Sequence, residues 1–182
     1  RRRAQVQHEV KERGLGAAVI GTGPELAYLT GSWTSSHERL TALVVPPVGD
    51  ARLIAPATDA SALAELGDAA GIQLVTWRDG ENPYALAEGA CGTGPIAVGS
   101  SLTADHVLRL QDVCGDIVLA TEVLATAFMV KDQDEIEQLA FAGAAIDRVH
   151  AAVPELLKPG RTERDIAAEL HALILREHSR TD

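Results

Sequence analysis

The chain has 182 residues, with 16 Lys+Arg against 26 Asp+Glu, a formal net charge of −10, and a hydrophobic content of 46%. That content suffices for a buried core and excludes wholesale disorder, while the apolar runs, broken by Gly, Pro or charge, fall short of the roughly 20 residues a membrane crossing needs. The acidic balance disfavours nucleic acid as a partner, because phosphate binding requires a basic surface; residues 1–13 run the other way, with five basic and two acidic side chains, and read as a solvated helix face.

Taken in chain order, Arg1 to Arg13 reads as a helix stopped by Gly14 and Gly16. Ala17 to Ile20 is a short buried strand ending at Gly21-Thr22-Gly23-Pro24, and Glu25 to Leu29 is a helical turn closed by Thr30-Gly31. Thr41 to Val45 and Arg52 to Ala55 are apolar runs joined by Pro46-Pro47-Val48-Gly49-Asp50, the turn chemistry of an antiparallel hairpin. Thr58 to Leu66 reads as a helix capped by Thr58, Ile72 to Trp77 as the fourth strand and Pro95 to Val98 as the fifth. Thr103 to Val113 is a helix, and Asp116 to Leu119 the sixth strand. Six strands with interleaved helices and one hairpin predict an α/β fold, a six-stranded mixed sheet flanked by helices.

From Lys131 onward the strand pattern disappears. Ile136, Leu139, Gly143, Ile146, Val149 and Val153 recur at helical spacing, and Lys158-Pro159-Gly160 ends that helix. Thr162, with Asp165 as capping partner, opens a second helix whose stripe is Ile166, Leu170, Leu173 and Ile174. Two amphipathic helices cannot close a core by themselves, so the expected organisation is one domain over residues 1–128 and the start of a larger, truncated domain over 129–182. The two stripes are expected to lie exposed or to be buried by another chain.

The chemistry-bearing residues are sparse. Zinc sites usually show close pairs such as His-x-x-x-His or Cys-x-x-Cys, and neither occurs. Asp147 and His150, three apart on the long helix, read as a salt-linked pair or, less simply, as donors to one ion. Cys91 and Cys114, 23 residues apart without a partner motif, read as reduced, buried thiols of a cytoplasmic protein. Ser35-Ser36-His37 places hydroxyls beside an imidazole without the spatial geometry a triad demands, and Gly21-Thr22-Gly23-Pro24 lacks the third glycine of a dinucleotide site. One loop stands out: Trp33, His37, Glu38 and Arg39 lie together in a chain with only 3% aromatics. An indole plate, an imidazole and a guanidinium fork suit a carboxylate or peptide carbonyl. The plainer alternative is a hairpin shoulder in which Glu38 pairs with Arg39 or a neighbour and Trp33 caps the core.

The stretches Val19-Ile20, Leu26-Ala27-Tyr28-Leu29-Thr30-Gly31 and Glu38-Arg39-Leu40-Thr41-Ala42-Leu43-Val44-Val45-Pro46 resemble the N-terminal domain of the creatinase/aminopeptidase P/prolidase family. Met129-Val130-Lys131-Asp132-Gln133-Asp134-Glu135-Ile136 is similar to that family's domain junction, and Leu157-Lys158-Pro159-Gly160-Arg161-Thr162-Glu163 to the turn between the first two helices of its catalytic domain. The resemblance implies a ribonuclease H-like N-terminal domain followed by the first two helices of a pita-bread domain. It also implies an Xaa-Pro metallopeptidase that hydrolyses the bond before proline in a proline-containing peptide substrate, working as a homodimer. Two divalent metals (Mn, Co or Zn) would be held by ligands downstream of this chain, so none is assigned here and the fragment is expected to be inactive. Aligned with the family pattern, Arg39 matches an arginine facing substrate and His37 an aromatic position there, with Trp33 beside them; these three are the expected substrate-binding residues, serving the partner subunit's active site. A creatinase-like hydrolase and a non-catalytic peptide- or protein-binding module are the alternatives.

Overall fold

The computed structural model describes residues 1–36, 38–64 and 71–179. Contacts divide the chain into two compact units, Arg1–Met129 and Val130–Asp182.

The first unit opens with helix α1 (Arg2–Glu12), strand β1 (Ala17–Gly21) and helix α2 (Pro24–Thr30), followed by the hairpin of β2 (Ala42–Val45) and β3 (Ala51–Pro56). A 3₁₀ turn (Ala57–Asp59) leads toward β4 (Ile72–Trp77), α3 (Pro83–Glu88), β5 (Ile96–Val98), α4 (Ala104–Cys114), β6 (Ile117–Leu119) and α5 (Thr121–Met129). The strands form one six-stranded sheet in the order β4-β3-β2-β1-β5-β6. β2 is antiparallel to both neighbours, whereas β1/β5, β3/β4 and β5/β6 are parallel. The mixed sheet and its hairpin therefore stand as the sequence predicts.

The apolar runs Ala17–Ile20 and Ala42–Val45 are continuous because both faces of the sheet are covered. Alternate residues divide between two cores. Ala18, Ile20, Leu43, Val45 and Leu53 pack with Val6 and Val10 of α1, Leu26 and Leu29 of α2, and Val123 and Leu124 of α5. Ala17, Val19, Ala42, Val44 and Ile54 pack on the other face with Ala87 of α3 and Leu110 of α4. On the first face α2 and α5 are further joined by a Tyr28–Phe128 stack at 4.4 Å and by the Tyr28 hydroxyl, which donates to the Ala127 carbonyl at 2.6 Å.

Three local readings change. Thr58 does not cap a helix beginning at that residue; it lies inside the 3₁₀ turn, where its hydroxyl donates to Asp59 Oδ1 at 3.0 Å. Helical backbone follows at 60–64, and the rest of the expected helix, to Leu66, falls outside the described residues. Two helices, α3 and α5, were not expected. α3 is only six residues long, too short for a helical period to show, yet it carries a readable start: Asn82 Oδ1 accepts from the Tyr84 and Ala85 N–H groups at 3.0 and 3.3 Å, with Pro83 in the first turn. α5 follows β6 after a single residue, Ala120, whose N–H donates to Val98 O at 2.9 Å, so no Gly or Pro marks the change from strand to helix.

The second unit holds α6 (Gln133–Leu156) and α7 (Glu163–His178). Each begins with a capping box, Asp132 with Glu135 and Thr162 with Asp165. The buried positions of α6 are Ala145, Val149 and Leu156, while Ile136, Leu139 and Ile146 of the expected stripe are exposed. On α7, Ile166, Leu170 and Leu173 are half-buried and Ile174 is exposed. The two helices are tied by Arg148 Nε to Glu177 Oε2 at 2.7 Å, the carboxylate being the one buried residue of α7.

Candidate functional site

The parallel strands β1, β3, β4, β5 and β6 all end on one edge of the sheet, and β2 begins there. In open α/β sheets that carboxyl edge is where loops gather and ligands bind, above all where the chain switches from one side of the first strand to the other. Here the switch lies between β1 and β5, because β2 to β4 are laid down on one side of β1, and β5 and β6 on the other. At that point Glu25, in the first turn of α2, accepts from the Ser100 N–H at 3.1 Å and the Ser100 hydroxyl at 2.8 Å. Gly99 makes the approach possible, since a Cβ there would lie 2.5 Å from Glu25 Oε2.

The loop carrying Trp33 rises from the same edge and is held by its own hydroxyls. Thr22 Oγ1 donates to Ser36 O at 3.0 Å and accepts from the Ser36 N–H at 3.3 Å, fastening the loop to the end of β1. The Ser36 hydroxyl donates to the Arg39 carbonyl, closing the turn into β2. Trp33 is 77% exposed, so it does not cap the core. The other indole does: Trp77, 8% exposed, packs in the second core and its Nε1–H donates to Leu40 O at 3.0 Å.

Arg39 stands over this buried tryptophan. Its guanidinium carbon is 5.5 Å from the Trp77 ring centroid, Nη1 donates to Thr58 Oγ1 at 3.4 Å, and Nη2 pairs with Asp79 in the turn after β4. The carboxylate that meets Arg39 is thus Asp79, forty residues away, and not the adjacent Glu38. Both partners reach solvent, with side chains 39% and 80% exposed. The arrangement is a guanidinium at the sheet's carboxyl edge, held by stacking and one exchangeable carboxylate. It can pass its fork to an incoming carboxylate or carbonyl. Of the three residues singled out in the sequence, Arg39 lies at this edge, Trp33 is exposed in the loop that Ser36 fastens to the end of β1, and His37 lies outside the described residues. Asp79, Trp77 and Thr58 were missed; their one sequence signal is position at the end of a strand, for Trp77, or within two residues after one, for Thr58 and Asp79.

Among the described residues no group of three or more His, Cys, Asp or Glu side chains is placed to hold a metal ion. The donor sets of these described residues do not fit a metal.

The fold and its carboxyl-edge loops define a class: the Creatinase/Prolidase N-terminal domain matches residues 2–130, and the chain belongs to that family. Among curated proteins it is 44% identical to the probable dipeptidase PepE of Mycobacterium tuberculosis over 98% of this chain and 49% of that protein. The crystal structure of dipeptidase PepE from Mycobacterium ulcerans superposes with a TM-score of 0.91 at 42% identity, covering 97% of this chain and 48% of that one. Recombinant prolidase from Thermococcus sibiricus gives 0.83 at 25% identity over 100% of this chain and 51% of its own. The chain thus spans about half the length of these relatives.

Proposed function

We propose that this chain is the N-terminal, oligomerising and substrate-shaping part of a metal-dependent Xaa-Pro peptidase of the dipeptidase/prolidase type, acting on the bond before proline. In this reading residues 1–128 are the creatinase-like domain and 129–182 supply the first two helices of the catalytic domain. Two divalent metals (Mn, Co or Zn) are bound by the remainder of the protein. It is a cytoplasmic homodimer in which Arg39, His37 and Trp33 serve the active site of the partner subunit. By itself the chain is inactive.

One observation carries the site assignment: Arg39 is presented at the carboxyl edge of the sheet over Trp77, with a solvent-reaching Asp79 as its resting partner. A guanidinium so placed can hold a peptide carboxylate through two parallel hydrogen bonds, which lysine cannot reproduce. The kinship with dipeptidases supports a short peptide as the ligand.

The test is Arg39→Lys and His37→Ala in the full-length protein, with kcat/KM on dipeptides having proline second measured beside the melting temperature. Arg39→Lys is expected to lose roughly 10- to 150-fold in kcat/KM, corresponding to about 1.5–3 kcal/mol for one charge-assisted hydrogen bond, with melting unchanged. Wild-type turnover in both variants would remove these residues from the site. Mixing Arg39→Lys subunits with subunits inactivated at the metal then decides whether the loop acts in its own subunit or across the dimer. The expected result is complementation across the dimer.

A further inference from the structure

We propose that the crevice at the β1/β5 switch point is a binding site for a small primary amine, its ammonium held by the Glu25 carboxylate and its apolar group lodged against α5. The site lies at the carboxyl ends of three neighbouring parallel strands: Glu25 follows β1 in the first turn of α2, Ser100 follows β5, and Thr121 opens α5 after β6. At a switch point the connections leave in opposite directions and a crevice remains between them, the usual ligand position of an open α/β sheet. Here it opens into a groove of about 400 Å³, with Glu25 and Ser100 as polar lining and Leu124, Ala125, Phe128 and Met129 of α5 as apolar wall. That volume is near the lower end of small-molecule sites, roughly 300–1,000 Å³. Leu124 is buried and Phe128 half-buried, its ring fixed by the stack on Tyr28 at 4.4 Å, so the wall is preformed. Met129 is 78% exposed and forms the rim, where its unbranched thioether can fold over a ligand. The groove is distinct from the Arg39 site, because Leu124 and Phe128 belong to one core and Trp77 to the other.

The carboxylate decides the charge of the ligand. Glu25 Oε2 accepts from the Ser100 N–H and Oε1 from the Ser100 hydroxyl, and both donors are neutral. Among the described residues no Lys, Arg or His pairs with Glu25. Each oxygen keeps a second acceptor site, and the negative charge is uncompensated. Beside an apolar wall an ion pair is stronger than in open water, so an ammonium gains from Glu25 while its hydrocarbon gains from α5. None of the side chains lining the groove is cationic. A ligand with a carboxylate of its own would bring it beside Glu25 with no base to meet it. The site therefore favours a simple amine over an amino acid.

Met129 is the single methionine of the sequence, which makes its methyl group a reporter inside the groove. The chain is isotope-labelled at the methionine methyl, the signal is assigned by its loss in Met129→Leu, and phenethylammonium is titrated in at neutral pH. The expected result is a saturable shift of that signal, with amide shifts at Glu25, Ser100 and Phe128. Phenethyl alcohol has the ring without the charge, ethylammonium the charge without the ring, and phenylalanine both with an added carboxylate. Each should bind at least about tenfold more weakly. Glu25→Gln, which keeps the size and one acceptor oxygen but loses the charge, should weaken phenethylammonium by a similar factor while the rest of the amide spectrum is retained. The proposal is overturned if the methyl signal shows no saturable shift, if any of the three comparison ligands matches phenethylammonium, or if Glu25→Gln keeps wild-type affinity. The ligand comparison in the wild-type chain decides the matter even if the variant fails to fold.

Discussion

At the scale of single residues the two tryptophans divide the work of the carboxyl edge. Trp77 is core and Trp33 is surface. Trp77→Phe keeps most of the buried ring but leaves the Leu40 carbonyl without its donor, a loss expected to cost about 1–3 kcal/mol of unfolding free energy. Trp33→Ala, by contrast, should stay within about 0.5 kcal/mol of wild type, because nothing buried depends on it. Urea denaturation of the two variants checks both values. A destabilisation at Trp33 matching that at Trp77 would mean that the loop is part of the core. The Arg39–Asp79 pair is exposed on both sides, so a double-mutant cycle should give a coupling of only about 0.2–1 kcal/mol. That small value is what leaves the guanidinium free to exchange partners. A large loss of peptide turnover in Arg39→Lys would therefore report on substrate and not on folding.

At the scale of elements, the edge strands β4 and β6 are partly exposed, but the central strands β1, β2 and β5 were readable because each carries an unbroken apolar run between turn residues, and burial on both faces of the sheet demands that composition. α3 and α5 were not, for opposite reasons: one is too short to show a period, and the other begins without punctuation. The candidate site was half readable. Arg39 and Trp33 are conspicuous in the sequence, but the approach of Asp79 and Thr58 to Arg39 comes from chain crossovers that no local spacing encodes. The capping boxes were read at α7 and missed at α6, although Asp132 and Glu135 obey the same three-residue rule. At α7 the Thr162 hydroxyl and N–H both donate to Asp165 and hold its carboxyl below the usual range. A carboxylate whose folded pKa is depressed contributes stability that is fully present above its unfolded pKa and is lost as pH falls through the folded value. The first turn of α7 should accordingly fray in acid, below the ordinary carboxylate range. Asp165→Asn should fray it already at neutral pH and flatten that pH dependence. Amide exchange of residues 163–167, followed from neutral to acid pH, measures both effects; an unchanged acid profile in the variant would take the capping role from Asp165.

At the scale of the whole molecule the two units are built on different physical terms. Both core clusters, on the two faces of the sheet, draw all their residues from Arg1–Met129. Among the described residues, neither core draws on Val130 onward. In the second unit α6 and α7 leave Ile136, Leu139, Phe141, Ile146, Ile174 and Leu175 exposed, an amount of apolar surface that isolated helices do not carry without a partner. The chain also spans about half the length of its relatives. The expectation is asymmetric: a chain of residues 1–129 should fold alone and unfold cooperatively with a urea midpoint close to that of the same unit in the longer chain. Residues 130–182 alone should be partly helical, bind a hydrophobic dye and show little exchange protection, because short helices without tertiary packing are marginal in water. Circular dichroism and urea titration of the two pieces make the comparison. If 1–129 melted far below the full chain, the second unit would be contributing to the stability of the first, and the division of the cores described above would be wrong. If 130–182 instead folded cooperatively on its own, its exposed stripes would have to find partners within or between copies of those two helices, and the assignment of this segment as the opening of a larger catalytic domain would lose its physical basis.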